Sequence, residues 1–133
     1  MNLNARYQNL KKLFKSQYNP NTHWEKWGNG TKAVDVYANP HKLEMKMKRV
    51  NALLNHLDSI RFESVLDFGS GWGFVSKFVL EKYPINDYVV FDASSERISE
   101  AKIHLKDFNV EFHASLIEDF HTEKKFDLVL GTG

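Results

Sequence analysis

The stretch Val65-Leu66-Asp67-Phe68-Gly69-Ser70-Gly71-Trp72-Gly73 constrains the fold more than any other part of the chain. Val65, Leu66 and Phe68 make a short apolar run suited to a strand. Three glycines at alternate positions follow, so the backbone can turn tightly with no Cβ between it and a ligand. From Trp72 the pattern becomes helical, with Phe74, Phe78 and Leu80 to Tyr83 on one face and Pro84 just past the end. A strand, a glycine turn and a helix in that order form the cofactor cradle of many doubly wound folds.

Spacing narrows the cofactor. A dinucleotide fingerprint starting from Gly69 and Gly71 needs its third glycine at position 74, which is Phe74. Asp67, at the strand tip, is unsuited to a pyrophosphate, because like charges ~4 Å apart cost roughly 4 kcal/mol at an effective dielectric near 20. The same carboxylate suits a ligand carrying an ammonium and a sulfonium. No Gly-Lys-Ser/Thr follows, so a Walker-type phosphate loop is absent as well.

Asp67-Phe-Gly69-Ser-Gly71-Trp-Gly73 resembles the first motif of class I S-adenosylmethionine-dependent methyltransferases. The resemblance continues through Val89-Val90-Phe91-Asp92-Ala93-Ser94, the helical stretch from Ser95 to Lys102, Val110-Glu111-Phe112 and Phe126 to Gly131. It covers residues 64 to 133, about half the chain. Asp92 lies 19 residues after Gly73, where such enzymes hold the ribose hydroxyls. The resemblance implies that Asp67, Gly69, Ser70, Gly71, Trp72 and Gly73 take the methionyl end of S-adenosylmethionine. It implies Asp92 and Ala93 for the ribose, Ser115 and Leu116 for adenine, and Gly131, with Thr132, near the methionyl group and acceptor. Leu116 is apolar where many members of the family are acidic; Glu118 or Asp119 either replaces that contact or lies in the next turn. The reaction implied is attack by a substrate N, O or C on the sulfonium methyl, leaving S-adenosylhomocysteine. No general base is identified.

The sequence predicts strands over 64–68, 88–92, 110–113 and 126–131, with helices over 72–82 and 95–107. Alternating β and α elements imply an α/β fold with a parallel sheet and right-handed crossovers. The family resemblance implies a Rossmann-like strand order of 3-2-1-4. Before this part, Asn39-Pro40 reads as an N-cap and first helical residue. Leu43, Met47, Val50, Leu54 and Leu57 then recur at helical spacing. Leu3, Tyr7, Leu10 and Phe14 mark a shorter helix, whereas residues 18–39 read as irregular. Residues 1–61 are accordingly expected to form a helical arm or lid, and residues 62–133 the cofactor-binding domain. By the same resemblance, Trp24, Trp27 and Tyr37 are lid or substrate-wall candidates; the alternative is that they pack the arm onto the domain.

The formal net charge of +1 hides an asymmetry. Residues 1–61 carry 11 Lys/Arg against 4 Asp/Glu, and residues 62–133 carry 7 against 13. The basic part serves either an acidic or nucleic-acid acceptor, or only as solvated helix faces attracted to the acidic part. A small-molecule acceptor is equally compatible. The absence of cysteine removes disulfides and thiolate metal sites. No apolar run approaches the ~20 residues of a membrane span, and no signal-peptide core opens the chain, so a cytoplasmic protein without a membrane partner is the expectation. The six histidines form no metal-ligand pair; His113 alone is expected near the site, and there in a structural role. No serine-nucleophile elbow is present.

The sequence stops at Leu130-Gly131-Thr132-Gly133, just after the fourth strand. Strand 126–131 would be an edge with unpaired backbone groups, which suggests a fragment of a longer enzyme, or a homodimer or partner chain covering that edge. The rival readings are a non-catalytic binding module on the same fold and a nucleotide-dependent oxidoreductase.

Overall fold

A computed structural model describes residues 32–131. Within them the elements are α1 (Ala33–Tyr37), α2 (Pro40–Leu57), β1 (Ser64–Phe68), α3 (Phe74–Lys82), β2 (Asp87–Asp92), α4 (Ser95–His104), β3 (Glu111–Ala114) and β4 (Leu128–Gly131). The predicted helix over residues 3–14, and Trp24 and Trp27, lie outside the described residues.

All strand pairings are parallel, and the sheet order is β3-β2-β1-β4, as the sequence implied. Strand periodicity sends alternate side chains to opposite faces. Val65, Tyr88, Val90 and Leu130 meet Leu57 of α2, Val79 of α3 and Ile98 of α4, and Phe62 closes the same core. Full burial of an aliphatic side chain of this size contributes about 1.5–3 kcal/mol. The sheet therefore depends on α2 as well as on the two crossover helices.

The helix starts are set by local chemistry. The Asn39 side chain accepts from the Lys42 amide at 3.1 Å, and Pro40 occupies the first helical position, where its missing N–H costs nothing. Ser94 caps α4 by accepting from the Arg97 amide at 3.3 Å.

Strands β2 and β3 lie within one residue of their predicted bounds, and four elements differ more from the sequence reading. Residues 33–37, expected to be irregular, form α1: Asp35 accepts from the Lys32 amide at 3.0 Å, and Val36 is buried. A single turn is too short for periodicity to reveal. Helix α3 starts at Phe74 rather than 72, because Gly71 and Gly73 both have positive φ and hold Trp72 in the turn. Helix α4 ends at His104 rather than 107: Leu105 leaves helical geometry as its side chain packs fully buried against Gly73. Strand β4 begins at Leu128, since Asp127 is committed to a different link. Its carboxylate accepts from the amides of Glu63 at 2.9 Å and Ser64 at 3.2 Å, while its own amide donates to Ser64 Oγ at 2.8 Å.

The other sheet face carries an aromatic row at the strand ends. Phe68 pairs in register with Phe91, and Phe91 with His113. Phe120, from the β3–β4 connection, stacks on Phe91 with centroids 4.3 Å apart. Lys124 fastens the connection to Asp87 at 3.1 Å and Glu111 at 2.7 Å. At the β4 edge of the sheet, Val129 is 55% exposed.

Because Leu57 sits where α2 meets the sheet, Leu57→Ala is expected to lower unfolding free energy by about 2–5 kcal/mol in urea titrations. Lys48→Ala, which removes only the exposed pair with Glu44, is expected to stay within about 0.5 kcal/mol.

Candidate functional site

Asp92, the last residue of β2, gathers three segments. Its Oδ2 accepts from the Gly71 amide at 2.8 Å, and its Oδ1 accepts from the Ser94 amide at 2.9 Å. Its backbone carbonyl accepts from the Ser115 amide at 2.9 Å. One residue earlier, the Phe91 carbonyl accepts from Gly69 at 2.9 Å and Ser70 at 3.3 Å. The glycine turn, the start of α4 and the segment after β3 thus meet at the carboxyl ends of the strands. That is where open parallel sheets bind ligands. A carboxylate oxygen offers about two acceptor positions, so each Asp92 oxygen retains acceptor capacity beyond its amide.

The glycines serve different needs. Gly71 has φ +56°, and a Cβ built there meets no atom of the described residues within 4 Å, which leaves open space beside Gly71. Gly73 has φ +81°, and its Cβ would lie 2.9 Å from Leu105 Cδ1. Gly131 stands opposite Phe68 in register, and a Cβ there would come within 2.5 Å of the Phe68 ring. Gly71 opens space for a ligand, whereas Gly73 and Gly131 permit close packing.

Two expected contacts have a different geometry. Asp67, read from sequence as facing a ligand ammonium, is wholly buried on the helix-covered side of the sheet. Its Oδ2 accepts from Ser76 Oγ at 2.7 Å and from the Tyr88 hydroxyl at 3.5 Å. Burial, and after it the Asp67 charge, pushes the Tyr88 phenol well above its ordinary pKa and keeps it a donor. Asp67 therefore braces the floor beneath the turn instead of presenting a surface carboxylate. The Trp72 side chain also turns away, because its neighbours form an apolar nest. It lies edge-on to Phe74 at 5.2 Å and His104 at 5.0 Å, with Tyr37 at 5.9 Å. Only the Trp72 backbone remains in the turn.

Ser115 joins the site through its amide. Leu116 begins a turn, its carbonyl accepting from Ser115 Oγ at 2.9 Å, Asp119 N at 3.1 Å and Phe120 N at 3.0 Å. Ala93 is partly exposed between Asp92 and the α4 cap, while Glu118 and Asp119 are exposed. His113 lies within β3, with Nε2 2.7 Å from Glu111 and its ring edge-on to Phe120. Tyr37 is 45% exposed against Trp72, Phe74 and His104. Sequence reading passed over Ser76, Tyr88 and Leu105. Ser76, a buried serine among the apolar residues of α3, carried the one available hint. No group of His, Asp or Glu able to hold a metal occurs among the described residues, and none of their helices is long and apolar enough to cross a membrane.

A parallel sheet with a glycine turn after its first strand and an acidic end to its second defines the nucleotide-cofactor class of doubly wound domains. The chain belongs to the methyltransferase small domain family, whose model matches residues 48–131. It is 31% identical over 99 residues to a malonyl-[acyl-carrier protein] O-methyltransferase of Acetivibrio thermocellus, covering 74% of this chain and 34% of that protein. The chain spans about a third of the length of the curated relatives it matches. In fold it is similar to the N-methyltransferase NodS of Bradyrhizobium japonicum solved with S-adenosyl-L-homocysteine, with a TM-score of 0.65, 22% identity and coverage of 84% of this chain and 55% of that one. It is also similar to phosphoethanolamine N-methyltransferase 1 of Haemonchus contortus, with a TM-score of 0.66, 17% identity and coverage of 84% and 24%.

Two outcomes follow from this geometry. Gly71→Ala is expected to cost about 1–2 kcal/mol from its positive φ alone. Gly73→Ala is expected to cost about 1–3 kcal/mol more, because Leu105 must also move; urea denaturation separates the two. Burial first, and then Lys77, lowers the His104 pKa below its ordinary 6.5, against a raising effect of Glu81. A base with a lowered folded pKa favours the native state above the unfolded value and loses that contribution as pH falls. The melting temperature is therefore expected to drop as pH falls from about 7 to about 5.5, and to drop less in His104→Phe.

Proposed function

We propose that this chain is the cofactor-binding part of an S-adenosylmethionine-dependent methyltransferase. The observation that carries the reading is the Asp92 carboxylate, which fixes the Gly71 amide while keeping acceptor capacity near the open space beside Gly71. Two ribose hydroxyls match that capacity as donors. The turn from Gly69 to Gly71 offers backbone, without side-chain bulk, to the methionyl end. Family membership supports the same assignment.

Bound S-adenosylmethionine supplies an electrophilic sulfonium methyl group. The chain's own contribution is to hold the donor so that an acceptor approaches the methyl in line, and positioning of this kind can account for much of such a reaction's acceleration. In this reading Asp92 and Ala93 set the ribose, and Ser115 and Leu116 border adenine. Gly131 keeps the neighbouring strand end close to the methionyl group. Asp67 acts through Ser76 and Tyr88 as a brace. Phe74 stands where a dinucleotide site needs its third glycine and is buried among Val36, Val50 and Trp72, which supports S-adenosylmethionine over a dinucleotide. The Acetivibrio thermocellus relative is named for O-methylation of a malonyl group, an acidic acceptor. An acceptor of that charge fits the excess of Lys and Arg over residues 1–61.

Calorimetric titration of the chain with S-adenosylhomocysteine and with NADH tests the reading. Saturable binding of the first and not the second is expected, with affinity reduced at least about tenfold in Asp92→Ala through loss of charge-assisted hydrogen bonds. Tight NADH binding, or adenosyl binding indifferent to Asp92, would contradict it.

A further inference from the structure

His104, the last residue of α4, closes the aromatic nest around Trp72. Its ring is edge-on to Trp72 with centroids 5.0 Å apart, and tilted against Tyr37 at 6.0 Å. Tyr37 in turn lies 5.9 Å from Trp72 and 6.1 Å from Phe74. Through these rings the end of α1 is brought onto α4. The body of α1 is held separately, by Val36 buried with Val50, Trp72 and Phe74.

Among the buried side-chain nitrogens and oxygens of the described residues, Glu100 Oε2 and His104 Nε2 make no hydrogen bond. Both belong to α4, four residues apart, so they are neighbours on one side of the helix. A neutral imidazole fits the nest. A second ring proton places a charge and an unmatched N–H there, which is costly. Burial accordingly disfavours the charged ring, Lys77 of α3 repels it, and Glu81 of α3 attracts it. From α2 the Lys46 ammonium lies 5.9 Å from the Trp72 centroid, a second cation bordering the nest. Glu100 offers an oxygen that no other group uses, and a Glu four residues before a cation is the favourable order on a helix. The end of α4 favours positive charge as well.

We propose that His104 is a proton-operated latch for α1: neutral, it packs with Tyr37 and Trp72; protonated, it turns to Glu100 and releases Tyr37. In the second state both unmatched atoms are satisfied, Nε2–H donating to Glu100 Oε2 as a charge-assisted hydrogen bond. The neutral state keeps the ring contacts instead, so one proton separates two packings of the same side chain. As pH falls through the His104 transition, α1 keeps the anchor at Val36 but loses its contact with α4. The nest around Trp72, whose backbone lies in the glycine turn, then opens at Tyr37. The latch belongs to the fold and stands whether or not the chain binds S-adenosylmethionine.

The test is an NMR titration of the full chain from about pH 8 to about pH 5, following the ring protons of His104 and Tyr37. Cross-relaxation between the two rings is expected at the alkaline end and lost at the acid end, with the Tyr37 signals moving at the His104 midpoint. In Glu100→Gln the proton affinity of His104 is expected to fall at least about twofold, so that the ring contact persists further into acid. His104→Phe keeps a ring in the nest and is expected to remove the pH dependence of the Tyr37 signals. If Glu100→Gln leaves the midpoint unchanged, or if the charged ring keeps its contact with Tyr37 through attraction to the aromatic faces, there is no latch. A larger effect of Glu81→Gln than of Glu100→Gln would give the charged ring to α3 and overturn the assignment as well.

Discussion

The hydrogen bond from the Gly71 amide to the Asp92 carboxylate joins parts of the chain that connectivity alone leaves apart. Gly71 sits in a turn of positive-φ glycines, a conformation with high entropy to lose on ordering. The carboxylate at the end of β2 supplies a charge-assisted acceptor that helps to offset this cost. The same residue holds the start of α4 through Ser94 and the segment after β3 through Ser115. Its geometry is consequently set by three backbone segments before a ligand arrives. Preorganisation of this kind reduces the ordering cost of binding.

Beneath the turn the structure accepts a second electrostatic burden. Asp67 is buried in the helix-covered side of the sheet, where an unsolvated carboxylate would be expensive without donors. Ser76 and Tyr88 supply donors from α3 and β2, so the carboxylate links the floor of the turn to both elements. Trp72 makes the connection outward. Its ring leaves the turn and packs with Phe74, Tyr37 and His104, bringing α1 and α4 to the same cluster. The site therefore rests on two different supports, a buried polar brace below and an aromatic nest beside it.

The parts of this arrangement legible in the sequence were those with a strong local or periodic signature. Strand β1, the full span of α2 and the 3-2-1-4 sheet order followed from apolar spacing, the Asn39-Pro40 start and the motif resemblance. The joining of Gly71, Asp92 and Ser115 at one end of the sheet follows from that topology. Side-chain direction was less legible. Asp67 and Trp72 flank the turn in sequence, yet strand alternation sends one inward and the apolar nest draws the other aside. Leu105 was hidden for a related reason: its role depends on filling the space that Gly73 lacks a side chain to occupy. The start of β4 was misplaced because the Asp127 link to Glu63 and Ser64 is long-range and leaves no local pattern.

The most direct measurement is a crystal structure of the chain grown with S-adenosylhomocysteine. The account expects the ribose hydroxyls within hydrogen-bond reach of Asp92, the methionyl end over Gly69 to Gly71, and the Gly71–Asp92 bond intact. A ligand bound elsewhere, or bound at the turn with Asp92 making no contact to it, would contradict the claim that this carboxylate organises the site.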